Sequence, residues 1–223
     1  MTQEQWTAVD RYFSDLLLPP DPALEAALAA SAAAGLPPYN VSPMQGRLLL
    51  LLARIHGARS ILEIGTLGGY STIWLARALP ADGRLITLEA DPTYAEVARA
   101  NIANAGLGEI VEVRQGRALD TLPQLIAEGR GPFDLIFLDA DKPNNPEYFV
   151  WTMKLARPGT LIIADNVVRG GAIVDAASTD PIVRGMRRFH ELLAADPRVS
   201  ATAIQTVGSK GWDGMVIALV TAP

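Results

Sequence analysis

The chain has 223 residues, 49% of them hydrophobic and 19% charged, enough to bury a sizeable core and typical of a soluble globular protein. Its formal net charge of −5 argues against an extended nucleic-acid surface. The absence of cysteine excludes disulfides, thiolate metal sites and a cysteine nucleophile.

Helical spacing of Trp6, Val9, Tyr12, Phe13, Leu16 and Leu17 predicts a helix over 3–18, stopped by Pro19-Pro20. The alanine-rich stretch 22–34 predicts a second helix ending at Gly35, because periodic leucines and good helix formers outweigh its low complexity. A third helix is expected over 43–56. Its apolar run LLLLLA at 48–53 is too short to span a bilayer. The N-terminus lacks a cationic segment followed by an apolar one, so no secretory signal is expected and a cytoplasmic location is the default.

Strands and helices then alternate. The predicted strands are 60–65, 84–90, 110–116, 133–139 and 160–166, and the predicted helices are 70–79, 92–105, 118–128, 146–156 and 181–195. Segments 199–206 and 213–220 predict a closing antiparallel pair around GSKGW. Near-continuous apolar strands between helices imply a parallel sheet covered on both faces. The expected fold is therefore α/β and Rossmann-like: a doubly wound, mostly parallel seven-stranded sheet with a closing hairpin. It is read as one domain, 1–223, with a helical cap over 1–58 and a core over 59–223.

The first strand runs into GTLGGYS, where Gly65, Thr66, Gly68 and Gly69 precede Tyr70 and Ser71 at a helix start. Glycines there allow a sharp turn and close approach to a ligand, though every such sheet needs tight turns. The spacing is not G-x-G-x-x-G, which weakens a dinucleotide reading. Glu89 ends the second strand, where an acid can accept hydrogen bonds from both ribose hydroxyls of a nucleoside. Gly116, Arg117 and Ala118 follow the third strand and leave room for a flat base. Glu63, inside the first strand, either contacts the ligand or orients the loop amides.

Asp139 ends the fourth strand and Asp165 the fifth, with Asn166 beside it. On neighbouring strands these three converge as a hard-oxygen set suited to Mg²⁺, Mn²⁺ or Ca²⁺; the alternative is that each acid caps its own loop. Lys142, three residues past Asp139, reads as a base or charge partner at the reacting oxygen, or as a surface lysine paired with Asp141. His56 and His190 lie on helices away from this edge and are poor rivals as bases.

Taken together, LEIGTLGGYS, LEAD, GRAL, LDADK and ADNVVRGG resemble the cation-dependent class I S-adenosylmethionine O-methyltransferases, the group of caffeoyl-coenzyme A and catechol O-methyltransferases. The resemblance runs from about 38–46 to 210–220. It implies metal ligation by Asp139, Asp165 and Asn166, with Mg²⁺ the first expectation, and catalysis at Lys142 and Asp139. It places the ribose on Glu89 and the amino-acid end of S-adenosylmethionine near Glu63, Gly65 and Ser71. Thr66, Gly69, Gly116 and Asp139 complete the expected cofactor contacts, with Ala118 and Asp141 at the base and Val41 as a further lining residue. The implied reaction is methylation of one hydroxyl of a catechol-type small molecule, in a homodimer.

The segment Pro143-Asn144-Asn145-Pro146-Glu147-Tyr148 departs from the plant members, so their substrate is not carried over. Methylation of a hydroxylated transfer-RNA nucleoside, a nicotinamide-dependent oxidoreductase and a non-catalytic cofactor-binding module are the alternatives. In the substrate-facing segments, Arg169 could meet an anionic tail or be solvated. Asp213 could approach the metal or serve a turn. Trp212 could cover an aromatic ring, with core filling as the favoured role.

Overall fold

In the computed structural model, which describes residues 2–222, the sheet has the expected mixed architecture. Five strands, β1 (Ser60–Ile64), β2 (Arg84–Glu89), β3 (Val111–Gln115), β4 (Leu135–Leu138) and β5 (Leu161–Asp165), run parallel. The hairpin β6 (Val199–Gly208) and β7 (Gly211–Val220) closes the sheet, with β7 antiparallel to β5. The strand order is β3-β2-β1-β4-β5-β7-β6. Chain direction across the sheet reverses between β1 and β4, which opens a crevice beyond their carboxyl ends.

Eight helices flank this sheet among the described residues: α1 (Gln3–Leu17), α2 (Pro22–Ala33), α3 (Pro43–His56), α4 (Tyr70–Ala76), α5 (Pro92–Asn104), α6 (Ala118–Ala127), α7 (Asn145–Leu155) and α8 (Pro181–Ala195). Most starts carry explicit signals. Ser42 and Gln45 form a capping box ahead of α3, with Pro43 in its first turn. Asp21, Asp91 and Asp180 cap α2, α5 and α8. Alternation splits the strands between two cores. Leu62, Ile64, Ile86 and Leu88 pack with residues of α6, α7 and α8, while Ile61, Leu85, Phe137 and Ile163 pack with residues of α2, α3, α4 and α5. The second face also carries Glu63 and Thr87, which are register partners.

Two sequence expectations are corrected. Helix α4 ends at Ala76 rather than 79: residues 77–79 continue as tighter turns, with Ala78 N–H donating to Leu75 O and Leu79 N–H to Ala76 O. The following Pro80 disfavours a helical residue before it. The hairpin is longer than 199–206 and 213–220, because pairing extends to Gly208 opposite Gly211 and leaves only Ser209 and Lys210 as the connection. Trp212 therefore sits on a strand. It is 42% exposed, lies over Gly171 and donates from Nε1 to Gln205 Oε1 at 3.0 Å, so it fills no core. The other strand ends differ from expectation by one or two residues.

Candidate active site

A cavity of about 1160 Å³ lies beyond the carboxyl ends of β1, β2, β4 and β5, roofed by the 36–42 segment and the hairpin tip. Its floor begins at the glycine loop between β1 and α4. A Cβ at Gly65, whose φ is +102°, would collide with the backbone carbonyl of Asp139. Glycine at that position thus lets the ends of β1 and β4 touch. A Cβ at Gly68 would collide with Ser31 of α2, so the loop is also clasped from the N-terminal side. Leu67 holds a left-handed conformation at φ 51°. Its N–H donates to Glu89 Oε2 at 2.7 Å, and the N–H of Asp91 donates to Glu89 Oε1 at 3.0 Å. Glu89 thereby shapes two loops, and each oxygen keeps lone-pair capacity toward the cavity it lines.

Glu63 is fully buried beneath the loop and does not line the cavity. Ser71 Oγ donates to its Oε1 and Thr87 Oγ1 to its Oε2, both at 2.7 Å, and Thr72 donates to the same Oε2. Thr66 lies 2.5 Å from Thr87. Because the Thr87 proton is already given to Glu63, Thr66 is the donor of that pair. The loop is thus oriented through hydroxyls rather than amides. Burial pushes the Glu63 carboxyl up to about 7, against the lowering by the Thr72, Ser71 and Thr87 hydroxyls, with Asp139 adding to the rise. Gly69 and Gly116 also lie outside the cavity wall, whereas Val41, Gly65, Thr66, Ser71, Glu89 and Ala118 line it.

The far end of the cavity is acidic. Asp139, Lys142, Asp165 and Asn166 line it, brought together because β4 and β5 are adjacent, and Asp141 also lines the cavity. Lys142 is buried in a short 3-10 turn, Lys142–Asn144, and Nζ donates to Asp139 Oδ1 at 2.8 Å. It is therefore neither a surface lysine nor a partner of Asp141. Asp165 is buried, and its Oδ1 accepts the Asn166 N–H at 2.8 Å. The second oxygens of Asp139 and Asp165, and the Asn166 carboxamide, have no hydrogen-bond partner among the described residues. Burial raises the Asp165 carboxyl to about 7, and the neighbouring Asp139 charge adds to this against the lowering effect of Lys142. Asp139 is raised by burial too, with Lys142 opposing. The groups thus sit in the unfavourable electrostatic state that a cation relieves. No group of three or more His, Asp or Glu side chains converges for metal among the described residues, so the donor set is two carboxylates and one carboxamide.

The structure adds residues that sequence reasoning did not single out as functional. Tyr148 of α7 is buried at the cavity wall and donates to Asp141 Oδ1 at 2.5 Å, while Asn144 Nδ2 donates to Oδ2 at 2.5 Å. Burial and the Asp141 carboxylate raise the Tyr148 phenol, keeping it a donor. Thr72 and Thr87 were detectable only as hydroxyls at buried positions near a buried acid. Lys210 donates to the Pro38 carbonyl at 2.9 Å, tying the hairpin tip to the roof segment.

The O-methyltransferase family model matches residues 21–220. A catechol O-methyltransferase of Niastella koreensis is 56% identical over 220 residues, covering 99% of this chain and all of that one. The O-methyltransferase from Bacillus cereus, solved in complex with SAH, superposes with a TM-score of 0.98 at 61% identity, covering 99% of this chain and 100% of that one. TomG from Streptomyces achromogenes, an O-methyltransferase involved in tomaymycin synthesis and solved with SAM, gives 0.96 at 55% identity, with 100% of both chains covered. These likenesses decide against the nicotinamide-dependent alternative. The glycine loop, the acid ending β2 and the polar end of the cavity thus belong to a methyl-transfer scaffold, and the chain is a member of the O-methyltransferase family.

Proposed function

We propose that the protein moves the methyl group of S-adenosylmethionine to one hydroxyl of a catechol-type small molecule with the help of a divalent cation, and that it works as a homodimer. The observation that carries this reading is a single cavity with two chemically distinct ends. One end has the glycine loop, Glu89 and Asp141, which suit a nucleoside. The other has Asp139, Asp165, Asn166 and Lys142, which suit a hard cation and an ionisable hydroxyl. The names and bound ligands of the relatives support the same reading.

Glu89 would take the ribose hydroxyls, Ala118 and the Tyr148-supported Asp141 the base, and Thr66 and Ser71 the region nearer the sulfur. The donor arrives with an activated sulfonium methyl. Asp139, Asp165 and Asn166 would hold the cation, their unpartnered oxygens being the fitting donors. A divalent ion held by these residues would supply Lewis acidity, lowering the pKa of an acceptor hydroxyl. Lys142 works on the acceptor oxygen, accepting its proton as the amine or balancing its charge as the ammonium. The cavity walls hold donor and acceptor in line and exclude water, and positioning of this kind supplies much of the acceleration.

The test is methyl transfer from S-adenosylmethionine to caffeic acid with Mg²⁺, then with excess EDTA. Turnover that vanishes with chelator and returns with added metal is expected. Turnover indifferent to chelator overturns the cation, and cofactor binding without turnover overturns the catechol-type acceptor.

A further inference from the structure

Asp213 lies on β7, lines the polar end of the cavity, and neither ends a strand nor occupies a turn. Its Oδ1 accepts three backbone N–H groups: Val168 at 2.9 Å, Gly214 at 3.0 Å and Arg169 at 3.1 Å. The Oδ2 atom sits 3.9 Å from Arg169 Nη1. The segment that follows β5 is bound to β7 at further points. Asp165 is the register partner of Met215, and the Val167 N–H donates to the Gly214 carbonyl at 3.1 Å. Gly214 permits this approach, since a Cβ there would collide with the Ile204 carbonyl and come within 2.8 Å of Val168 Cγ2.

Between these anchors the chain adopts conformations that L-residues avoid. Asn166 has φ 58° and Arg169 φ 56°. Left-handed non-glycine residues persist only where the surroundings over-determine them. The Val168 and Arg169 amides lie within that strained stretch, and Asp213 is the group that holds both.

We infer that Asp213 is a positioning residue for the divalent cation: by fixing the 166–169 turn it aims Asn166 and Asp165 at Asp139. This rests on the cation reading proposed above. Asp213 is not itself a ligand in this account, because the oxygen that could serve is saturated by three amides and the other faces a guanidinium. Partners that orient metal ligands in this way typically contribute about 10- to 100-fold in metal affinity.

The experiment is titration of the whole purified chain with Mn²⁺, followed by electron paramagnetic resonance, beside calorimetric titration with S-adenosylhomocysteine. Asp213→Asn keeps an amide-accepting oxygen and removes the charge; Asp213→Ala removes both. Asp213→Ala is expected to weaken Mn²⁺ binding about 10- to 100-fold, with S-adenosylhomocysteine affinity unchanged and turnover recovering at saturating metal. Asp213→Asn is expected to stay within about threefold of the parent protein for Mn²⁺, well inside that range. If the alanine variant does not fold, Asp213→Ser takes its place with the same expectation. Parent-like Mn²⁺ affinity in the alanine or serine variant overturns the inference. An asparagine variant as weak as the alanine one also overturns it, because charge or direct ligation would then be responsible. A parent chain that binds S-adenosylhomocysteine but no Mn²⁺ removes the cation reading itself, and this inference with it.

Discussion

Lys142 is a buried cation whose one ion-pair partner among the described residues is Asp139, so its removal acts on chemistry and electrostatics in opposite directions. Lys142→Ala takes away the group that handles the acceptor proton, and turnover is expected to fall about 10²- to 10⁴-fold. It also strips the positive charge from a site where Asp139 and Asp165 already repel, so Mg²⁺ should bind at least as tightly as before. Calorimetric titration beside steady-state turnover checks both halves, and weaker Mg²⁺ binding would show that Lys142 supports the metal geometry rather than the reaction. Glu63 gives a second residue-scale prediction. Burial raises its carboxyl to about 7 in the folded protein, against an ordinary value of 4.5. Across that window the unfolded chain has lost a proton that the folded chain keeps, so stability falls as pH rises and levels off above it. Glu63→Gln never ionises, and the Tm difference between about pH 5 and about pH 8 should shrink by about 5 °C. Asp165, raised for similar reasons, leaves part of the slope in place when no metal is bound. An unchanged slope would mean that the three hydroxyls keep Glu63 ionised.

The elements themselves were legible because their punctuation is chemical: Pro19-Pro20 after the first helix, Gly35 after the second, and the glycines after β1. The two ends of the cavity were legible because acids at the ends of β2, β4 and β5 interrupt apolar strands. The links between elements were not. The Tyr148 phenol reaches back seven residues to Asp141 across a 3-10 turn whose geometry local pattern does not determine. Thr87 matters because strand register places it opposite Glu63, and register is a property of the assembled sheet. Trp212 was misplaced for the same reason, since a shorter hairpin put it in a turn. One link of this kind joins α2 to α4: Asp21 caps α2 through the Leu24 N–H at 3.2 Å and pairs with both terminal nitrogens of Arg77. Burial alone would raise its pKa, but the Arg77 and Leu24 contacts outweigh that and hold it below 3.8. Asp21→Ala should therefore lower stability by about 1–2 kcal/mol, the usual range for a lost cap, read from the urea midpoint at neutral pH. The charge-dependent part of the difference is present above about 3.8 and is lost as pH falls through the depressed folded value, while a protonated carboxyl can still accept the Leu24 N–H. A gap that does not narrow in acid would show that the Arg77 pairing contributes nothing.

At the scale of the whole molecule, α1 is built inside out. Its polar side docks on the hairpin: Gln3 Nε2 donates to the Gly208 carbonyl at 2.9 Å, and the Ser209 N–H donates to Asp10 Oδ2 at 2.7 Å. Its apolar stripe is left uncovered, with Val9, Tyr12, Leu16 and Leu17 each more than half exposed at helical spacing. Beside it β6 is an edge strand carrying exposed Ile204 and Val207. A contiguous apolar surface next to an open strand edge is a liability in a lone molecule and an interface in a pair. The proposed homodimer would bury this stripe against a second copy, and it predicts that Tyr12→Glu with Leu16→Glu yields a monomer. Both side chains are exposed and neither lines the cavity, so folding and S-adenosylhomocysteine binding should survive the change. Sedimentation velocity at micromolar concentration is the measurement: a parent that sediments as a dimer beside a monomeric variant supports the pairing through α1. A parent already monomeric, or a variant still dimeric, assigns the exposed stripe to some other contact.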